Sequence, residues 1–363
     1  MAEEVSLKAP FPYFGGKGTV ASVVWAALGQ PKHYLEPFFG SGAVLLARPR
    51  YRPGVHVETV CDMDGFLANV WRALQRDPDE VARWCDWPVN HADLSARKRR
   101  LVASEAHLLE RLSNDDEWYD AKHDAKLAGY WVWAASCWIG SGLTSLGQIP
   151  HVGSSGMGVH ALGQIPRVSH SGTGVHSLGK RPHLSNSGMG VHALGKRPRV
   201  DSDALDVREP YNANIYTWMR ALSERLRHVR VVCGDWTRIC GGDWQDNLGP
   251  CGIFLDPPYG VEDRDNHVYQ HDSTDVAQAV GRWAMERGAR ASYRVVLAGY
   301  DEHEWLLERG WTLERWQGNG GYANQAGTKD GQGKNNRLRE TLYFSPYCLK
   351  AAQRQLCLPG LVA

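Results

Sequence analysis

The sharpest chemical signal in the chain is an acid set on a rigid turn. Ile253-Phe-Leu-Asp256-Pro257-Pro258-Tyr259 is an apolar run that ends abruptly in a carboxylate, two prolines and an aromatic ring. Proline fixes the turn, so the carboxylate of Asp256 is held at the end of its strand with Tyr259 beside it. That pair suits a planar, amine-bearing base, because the acid accepts from the amine while the ring stacks on the base. A second signal is Glu36-Pro-Phe-Phe-Gly-Ser-Gly-Ala, where a short apolar stretch passes through a Gly-rich turn into the helical pattern Val44-Leu-Leu-Ala. Small residues at a strand-to-helix turn let the backbone approach a ligand closely, although glycines also serve there as plain turn residues. Further on, Cys61-Asp62-Met63-Asp64 puts an acid at the end of the next strand, where a ribose hydroxyl sits in a doubly wound fold. The alternative is that Asp62 or Asp64 caps a helix beginning near Gly65.

These residues need strands and helices to position them, and the flanking regions of the chain supply both patterns. Residues 10–76 and 229–345 carry short apolar runs (Tyr34-Leu35, His56 to Cys61, Val229 to Cys233, Ile253 to Leu255, Arg294 to Ala298) between amphipathic helical stretches. Alternation of this kind predicts an α/β fold with a largely parallel sheet. Between the flanks, Pro78 to Gly140 is helical in pattern, with Leu101, Leu108, Leu109 and Leu112 at three and four spacing. The basic run Arg97-Lys-Arg-Arg upstream of them is expected to be a solvated face. Gln317 to Asn336, rich in Gly, Asn and Gln, is expected to be a long mobile loop near the end of the sheet.

The middle of the chain is a tandem repeat. From Ser145 it reads SLGQIPHVGSSGMGVH, ALGQIPRVSHSGTGVH, SLGKRPHLSNSGMGVH and the partial copy ALGKRPRV, a period of 16 that keeps Leu146, Leu162, Leu178 and Leu194 in register. A proline and several glycines in each unit exclude a helical solenoid and leave short extended segments joined by turns. Between Ser145 and Val200 the charged residues are Arg167, Lys180, Arg181, Lys196, Arg197 and Arg199, all positive. His160, His176 and His192 recur with the same period, but without paired ligands or a nearby cysteine they do not make a metal site. Cys233, Cys240 and Cys251 lack zinc-ribbon spacing and are expected to be core thiols.

Taken together, four blocks resemble the D12 class of DNA N6-adenine methyltransferases, the Dam-like enzymes, and more narrowly their phage and prophage members. They are Pro12-Tyr-Phe-Gly-Gly-Lys17, Glu36 to Gly42, Asp62 after the second strand, and Asp256-Pro-Pro-Tyr259 after a long insertion. Val232-Cys-Gly-Asp235-Trp236 is similar to a further block of that family, whose acid and aromatic neighbour the adenine of the cofactor. The resemblance implies a Rossmann-like methyltransferase sheet, S-adenosylmethionine as methyl donor and no metal. It assigns Tyr13, Lys17, Phe39, Gly40, Ser41, Gly42, Asp62, Asp235 and Trp236 to the donor. It assigns Asp256, Pro257 and Tyr259 to catalysis, the first two accepting the hydrogens of the target amine and Tyr259 stacking on a base flipped out of the duplex. The catalytic domain then comprises residues 1–82 and 212–363. The insert, 83–211, is the target-recognition region, helical over 83–144 and repetitive over 145–200. Tyr130 to Leu143 lies where such enzymes open their recognition hairpin, and the six repeat cations follow as contacts to double-stranded DNA.

Composition agrees with such an enzyme and excludes other classes. The chain has 363 residues, 43% hydrophobic and 22% charged, which fits neither a disordered chain nor a fibre. Lys plus Arg (41) nearly balances Asp plus Glu (40), so any basic face is local. No apolar run reaches the roughly 18 residues of a membrane span, and Met1-Ala-Glu-Glu-Val lacks a basic signal start, so a cytoplasmic location is expected. The eight scattered cysteines are expected to be reduced. Partners are duplex DNA and, in a restriction pair, a cognate nuclease, with no membrane. The alternatives are methylation of cytosine N4, a non-catalytic DNA-binding module on the same fold, and methylation of RNA or a protein amide, where Asn usually replaces the acid.

Overall fold

A computed structural model describes residues 7–13, 16–113, 123–138, 143, 213–247, 249–258, 274–316 and 340–350. The chain divides into two compact units, one from residues 1–13 and 65–227 and the other from residues 14–64 and 228–363. The 16-residue repeats and the stretch from Gln317 to Asn336 lie outside the described residues.

The second unit is built on a seven-stranded sheet. Its strands are β1 (His33–Glu36), β2 (Val57–Asp62), β3 (Val229–Cys233), β4 (Cys251–Leu255), β5 (Tyr293–Gly299), β6 (Thr312–Arg315) and β7 (Thr341–Phe344). Their order across the sheet is β3-β2-β1-β4-β5-β7-β6. The first five pair in parallel, and β7 runs antiparallel to both β5 and β6. Parallel strands covered on both faces read as continuous apolar runs, and β4 (CGIFL) is buried along its whole length. That is why the runs ending at Leu35, Cys61, Cys233, Leu255 and Ala298 locate these strands in the sequence. On one face of the sheet, Ile253, Leu255, Val295 and Leu297 pack with Val280 and Ala284 of α8 (Thr274–Gly288) and with Leu306 and Trp311. The helix α1 (Ala21–Leu28) buries Val24, Trp25 and Leu28, and the Trp25 ring lies 4.6 Å from that of Tyr34 in β1. Cys233, Cys240 and Cys251 are buried free thiols, in line with the core role expected of them.

The order of the strands reverses between β1 and β4. In an open parallel sheet the connections on either side of such a reversal diverge and leave a crevice at the carboxyl ends of the strands. The loop after β1 is the Gly-rich turn leading to α2 (Ala43–Leu46), and the loop after β4 is Asp256-Pro257-Pro258. Asp62 ends β2, and Asp235 follows β3 on the same edge.

The first unit is helical among its described residues: α3 (Gly65–Arg76), α4 (Pro78–Cys85), α5 (His91–Ser113), α6 (Ala125–Cys137) and α7 (Ala213–Leu226). Helix α4 starts on Pro78 with Asp79 and Glu80 in its first turn, an arrangement that suits both the missing proline N–H and the helix dipole. The carboxylate of Asp124 caps α6 by accepting the Leu127 N–H at 2.8 Å. Its backbone is clasped by the fully buried Asn69 amide, which donates to the Asp124 carbonyl at 2.9 Å and accepts the Asp124 N–H at 2.7 Å. Gly129 lets α6 press on α4, since a Cβ there would sit 2.8 Å from the Val81 carbonyl and 2.5 Å from the Trp84 Cβ.

The basic run of α5 departs from the solvated face expected of it. Arg99 and Arg100 are exposed, but Arg97 and Lys98 are buried. The Arg97 guanidinium lies 4.9 Å from the Trp87 ring and 4.4 Å from those of Tyr130 and Trp133, and donates to the Trp84 carbonyl at 2.8 Å. Lys98 lies 4.5 Å from the Trp138 ring, and burial lowers its pKa to about 8. Four neighbouring cations on a helix point in different directions, so two of them can fill an aromatic core while two meet water.

Candidate active site

The Gly-rich turn takes its shape from β2. The Phe39 N–H donates to the Cys61 carbonyl at 3.0 Å, and the Gly40 N–H donates to the Asp62 carboxylate at 2.7 Å. The turn then closes on itself with Gly42 N–H to the Phe39 carbonyl at 2.7 Å. Gly40 and Gly42 have φ of 48° and 61°, in the left-handed region that favours glycine. At Gly42 a Cβ would also meet the Phe39 ring at 2.6 Å. Phe39, Gly40 and Gly42 are buried, and Ser41 is half-buried.

Asp62 does two jobs at once. One oxygen holds Gly40, and the other accepts the Asp64 N–H at 2.9 Å in a local turn before α3. Burial raises its pKa to about 7, with the nearby Asp64 charge adding to the effect and the amides of Gly40, Asp64 and Met63 opposing it. Beside it Met63 is 46% exposed, an apolar side chain left in solvent at the mouth of the turn.

On the next strand, the backbone of Gly234 is tied to β2 by its N–H to the Asp62 carbonyl at 2.9 Å. This brings the exposed Asp235 to the same edge. One Asp235 oxygen accepts both the N–H and the hydroxyl of Thr237. Trp236 is half-buried in an aromatic row, its ring 6.5 Å from Phe38 in a stacked arrangement and 6.0 Å from Trp283 edge-on.

Asp256, across the strand reversal, carries an ion pair with Lys17. The Lys17 Nζ lies 2.9 Å from the Asp256 Oδ2, and the two side chains are 6% and 21% exposed. Lys17 reaches it from a single 3₁₀ turn, Lys17–Thr19. The lysine assigned by its motif to the donor therefore pairs with the acid assigned to the target. Pro257, next in the chain, is buried.

Two further carboxyls belong to this charge cluster, and both escaped the sequence reading. Glu36, at the end of β1, is buried and accepts the Tyr34 hydroxyl at 2.8 Å. Burial pushes its pKa well above the ordinary carboxyl range, the Tyr34 hydrogen bond opposes this and the Asp256 charge adds to it, so the neutral form is favoured. Glu340, just before β7, has a raised pKa caused by burial first, with the Lys17 charge lowering it and that of Asp256 raising it. Glu36 could have been found, since it heads the Gly-rich block. No local pattern marks Glu340.

Tyr13 belongs to the helical unit, half-buried with its ring 6.4 Å from Phe11. Tyr259 and the repeat residues Arg167, Lys180, Arg181, Lys196, Arg197 and Arg199 lie outside the described residues. No described helix is long and apolar enough to cross a membrane.

A sheet of this order with its carboxyl-edge acids and Gly-rich turn has the Rossmann-like form of a methyltransferase. Residues 13–127 match the family of D12 class N6 adenine-specific DNA methyltransferases. The matched span holds Lys17, the Phe39–Gly42 turn and Asp62, and it ends before Asp256. No curated protein matches the chain. That match over residues 13–127 indicates an enzyme that methylates N6 of adenine in DNA.

Proposed function

We propose that the chain transfers the methyl group of S-adenosylmethionine to adenine N6 in duplex DNA, on a base flipped into the crevice beside Asp256. The observation that carries this reading is the position of Asp256. It stands on a proline-fixed turn at the strand reversal, across from a Gly-rich turn clamped by Asp62.

The residues present fit the donor. Gly40 and Gly42 keep side chains off the turn, and Asp62 retains acceptor capacity for ribose hydroxyls beyond its bonds to Gly40 and Asp64. Met63 offers an apolar wall to the adenine, and the second oxygen of Asp235 accepts from its amine. Bound there, S-adenosylmethionine supplies a methyl group on a positively charged sulfur.

The target amine is a poor nucleophile because its lone pair is delocalised into the ring. Asp256 and the Pro257 carbonyl accept its two hydrogens, which favours the pyramidal form with the lone pair free. Asp256 is also assigned the proton that N6 sheds. Tyr259 is assigned the stacking that the flipped base loses. The repeat cations are assigned to DNA phosphates, which position the duplex without reading its sequence.

The test is Asp256→Ala. It should bind S-adenosylmethionine within about 2-fold of wild type and lose at least about 100-fold in turnover, the lower range for a group acting in proton transfer. Full activity in that variant would remove Asp256 from the chemistry.

A further inference from the structure

We propose that Glu340 is a positioning residue that takes Lys17 from Asp256 when the target amine enters, so that Asp256 is released to accept it. This inference rests on the proposed role of Asp256. In the structure the Asp256 Oδ2 is engaged by the Lys17 ammonium at 2.9 Å. A carboxylate held by an ammonium is a weaker acceptor for a second donor, and the base needs that acceptor. Breaking the pair outright would cost a largely buried ammonium its carboxylate partner, which is strongly unfavourable. A waiting carboxylate removes that obstacle.

Three observations identify Glu340 as that carboxylate. First, β7 runs antiparallel to β5 with Thr341 opposite Gly299, the last residue of β5. The residue before Thr341 therefore stands at the carboxyl edge of the parallel strands, where Asp256 follows β4. Its backbone is fixed there by the Trp316 N–H, which donates to the Glu340 carbonyl at 3.0 Å. Second, the Glu340 Oε2 is buried and has no hydrogen-bond partner among the described residues. A buried acceptor in that state is costly, so gaining the Lys17 ammonium would satisfy it. Third, its charge interacts with both Lys17 and Asp256. Glu36 does not suit the task, because its carboxyl is already tied to the Tyr34 hydroxyl. The swap conserves charge: one ammonium moves between two carboxylates, and no proton need be transferred.

The experiment compares wild type, Glu340→Gln, Lys17→Met and the double variant in single-turnover methylation of unmethylated genomic DNA, with S-adenosylmethionine binding measured separately. Glu340→Gln should slow the step roughly 10-fold, within the coupling found inside one salt-bridge network, with donor affinity unchanged. In the Lys17→Met background the same substitution should change the rate less than about 2-fold, since no cation remains to be moved. A merely structural glutamate would slow the step by the same factor with Lys17 present or absent. A wild-type rate in Glu340→Gln, or effects of the two substitutions that simply multiply, would overturn the proposal. If wild type forms no methylated adenine, or if Asp256→Asn keeps the wild-type rate, the reading of Asp256 itself has failed. If wild type is active, Asp256→Asn is impaired and only Glu340→Gln is silent, the failure is confined to Glu340.

Discussion

Asp62 links the shape of the turn to pH. Its pKa stands near 7, above the ordinary aspartate value of 3.8, chiefly through burial. For an acid raised in this way, the stabilising contribution is complete below about 3.8 and is lost as pH rises towards 7, where the carboxylate ionises inside the fold. Donor-free protein should therefore lose stability between these pH values through this group. Asp62→Asn should lack that component, and thermal melts across the range will show it. Donor binding should follow the opposite course, because ribose hydroxyls donate to the ionised carboxylate. Affinity measured by calorimetry should rise with pH through about 7 in wild type and stay flat in Asp62→Asn. A rise that persists in Asp62→Asn would assign the titration to another group. Asp62 was legible from the sequence because it ends an apolar strand after a Gly-rich turn. Lys17 was legible as part of a block, but not as the partner of Asp256, because side-chain pairing across more than two hundred residues leaves no local pattern. Glu340 was illegible for the same reason.

Among the elements, the Phe39–Gly42 turn is the most constrained. Gly42→Ala imposes a left-handed conformation on a residue with a Cβ, a cost of roughly 1–2 kcal/mol. It also drives that Cβ into the Phe39 ring, 2.6 Å away. Gly54 has a similar φ of 75° and nothing within 4 Å of its would-be Cβ. Gly54→Ala should therefore show the backbone strain alone, and Gly42→Ala should be the less stable variant and have weaker donor affinity as well. Equal melting temperatures for the two would mean that the Phe39 ring moves aside freely. In α5, Arg97→Ala should destabilise by about 2 kcal/mol or more, since it removes a desolvated guanidinium from among three rings. Arg99→Ala should stay within about 0.5 kcal/mol. Denaturant melts of both variants test the division of the basic run. The strands of the parallel sheet were readable as apolar runs, since burial on both faces leaves such runs in the sequence. The reversed strand β7 was not foreseen, because direction is set by pairing with β5 and β6 rather than by its own four residues. The inward turn of Arg97 depended on aromatic residues of other segments in the same unit.

In the whole molecule, a methyltransferase sheet shares its chain with a repeat segment that carries six cations and no acidic residue. Deleting one 16-residue unit should weaken DNA binding and make it less steeply dependent on salt, by a slope of about 0.9 for each phosphate that the shortened repeat no longer neutralises, while donor binding stays unchanged. Unchanged DNA affinity would reduce the repeat to a spacer. The reaction itself can be read directly from its product. Purified protein should be incubated with S-adenosylmethionine and unmethylated genomic DNA, and the DNA then digested to nucleosides and read by mass spectrometry. N6-methyldeoxyadenosine should form with wild type and be absent with Asp256→Ala. N4-methyldeoxycytidine, or no methylated nucleoside despite donor binding, would contradict adenine N6 methylation.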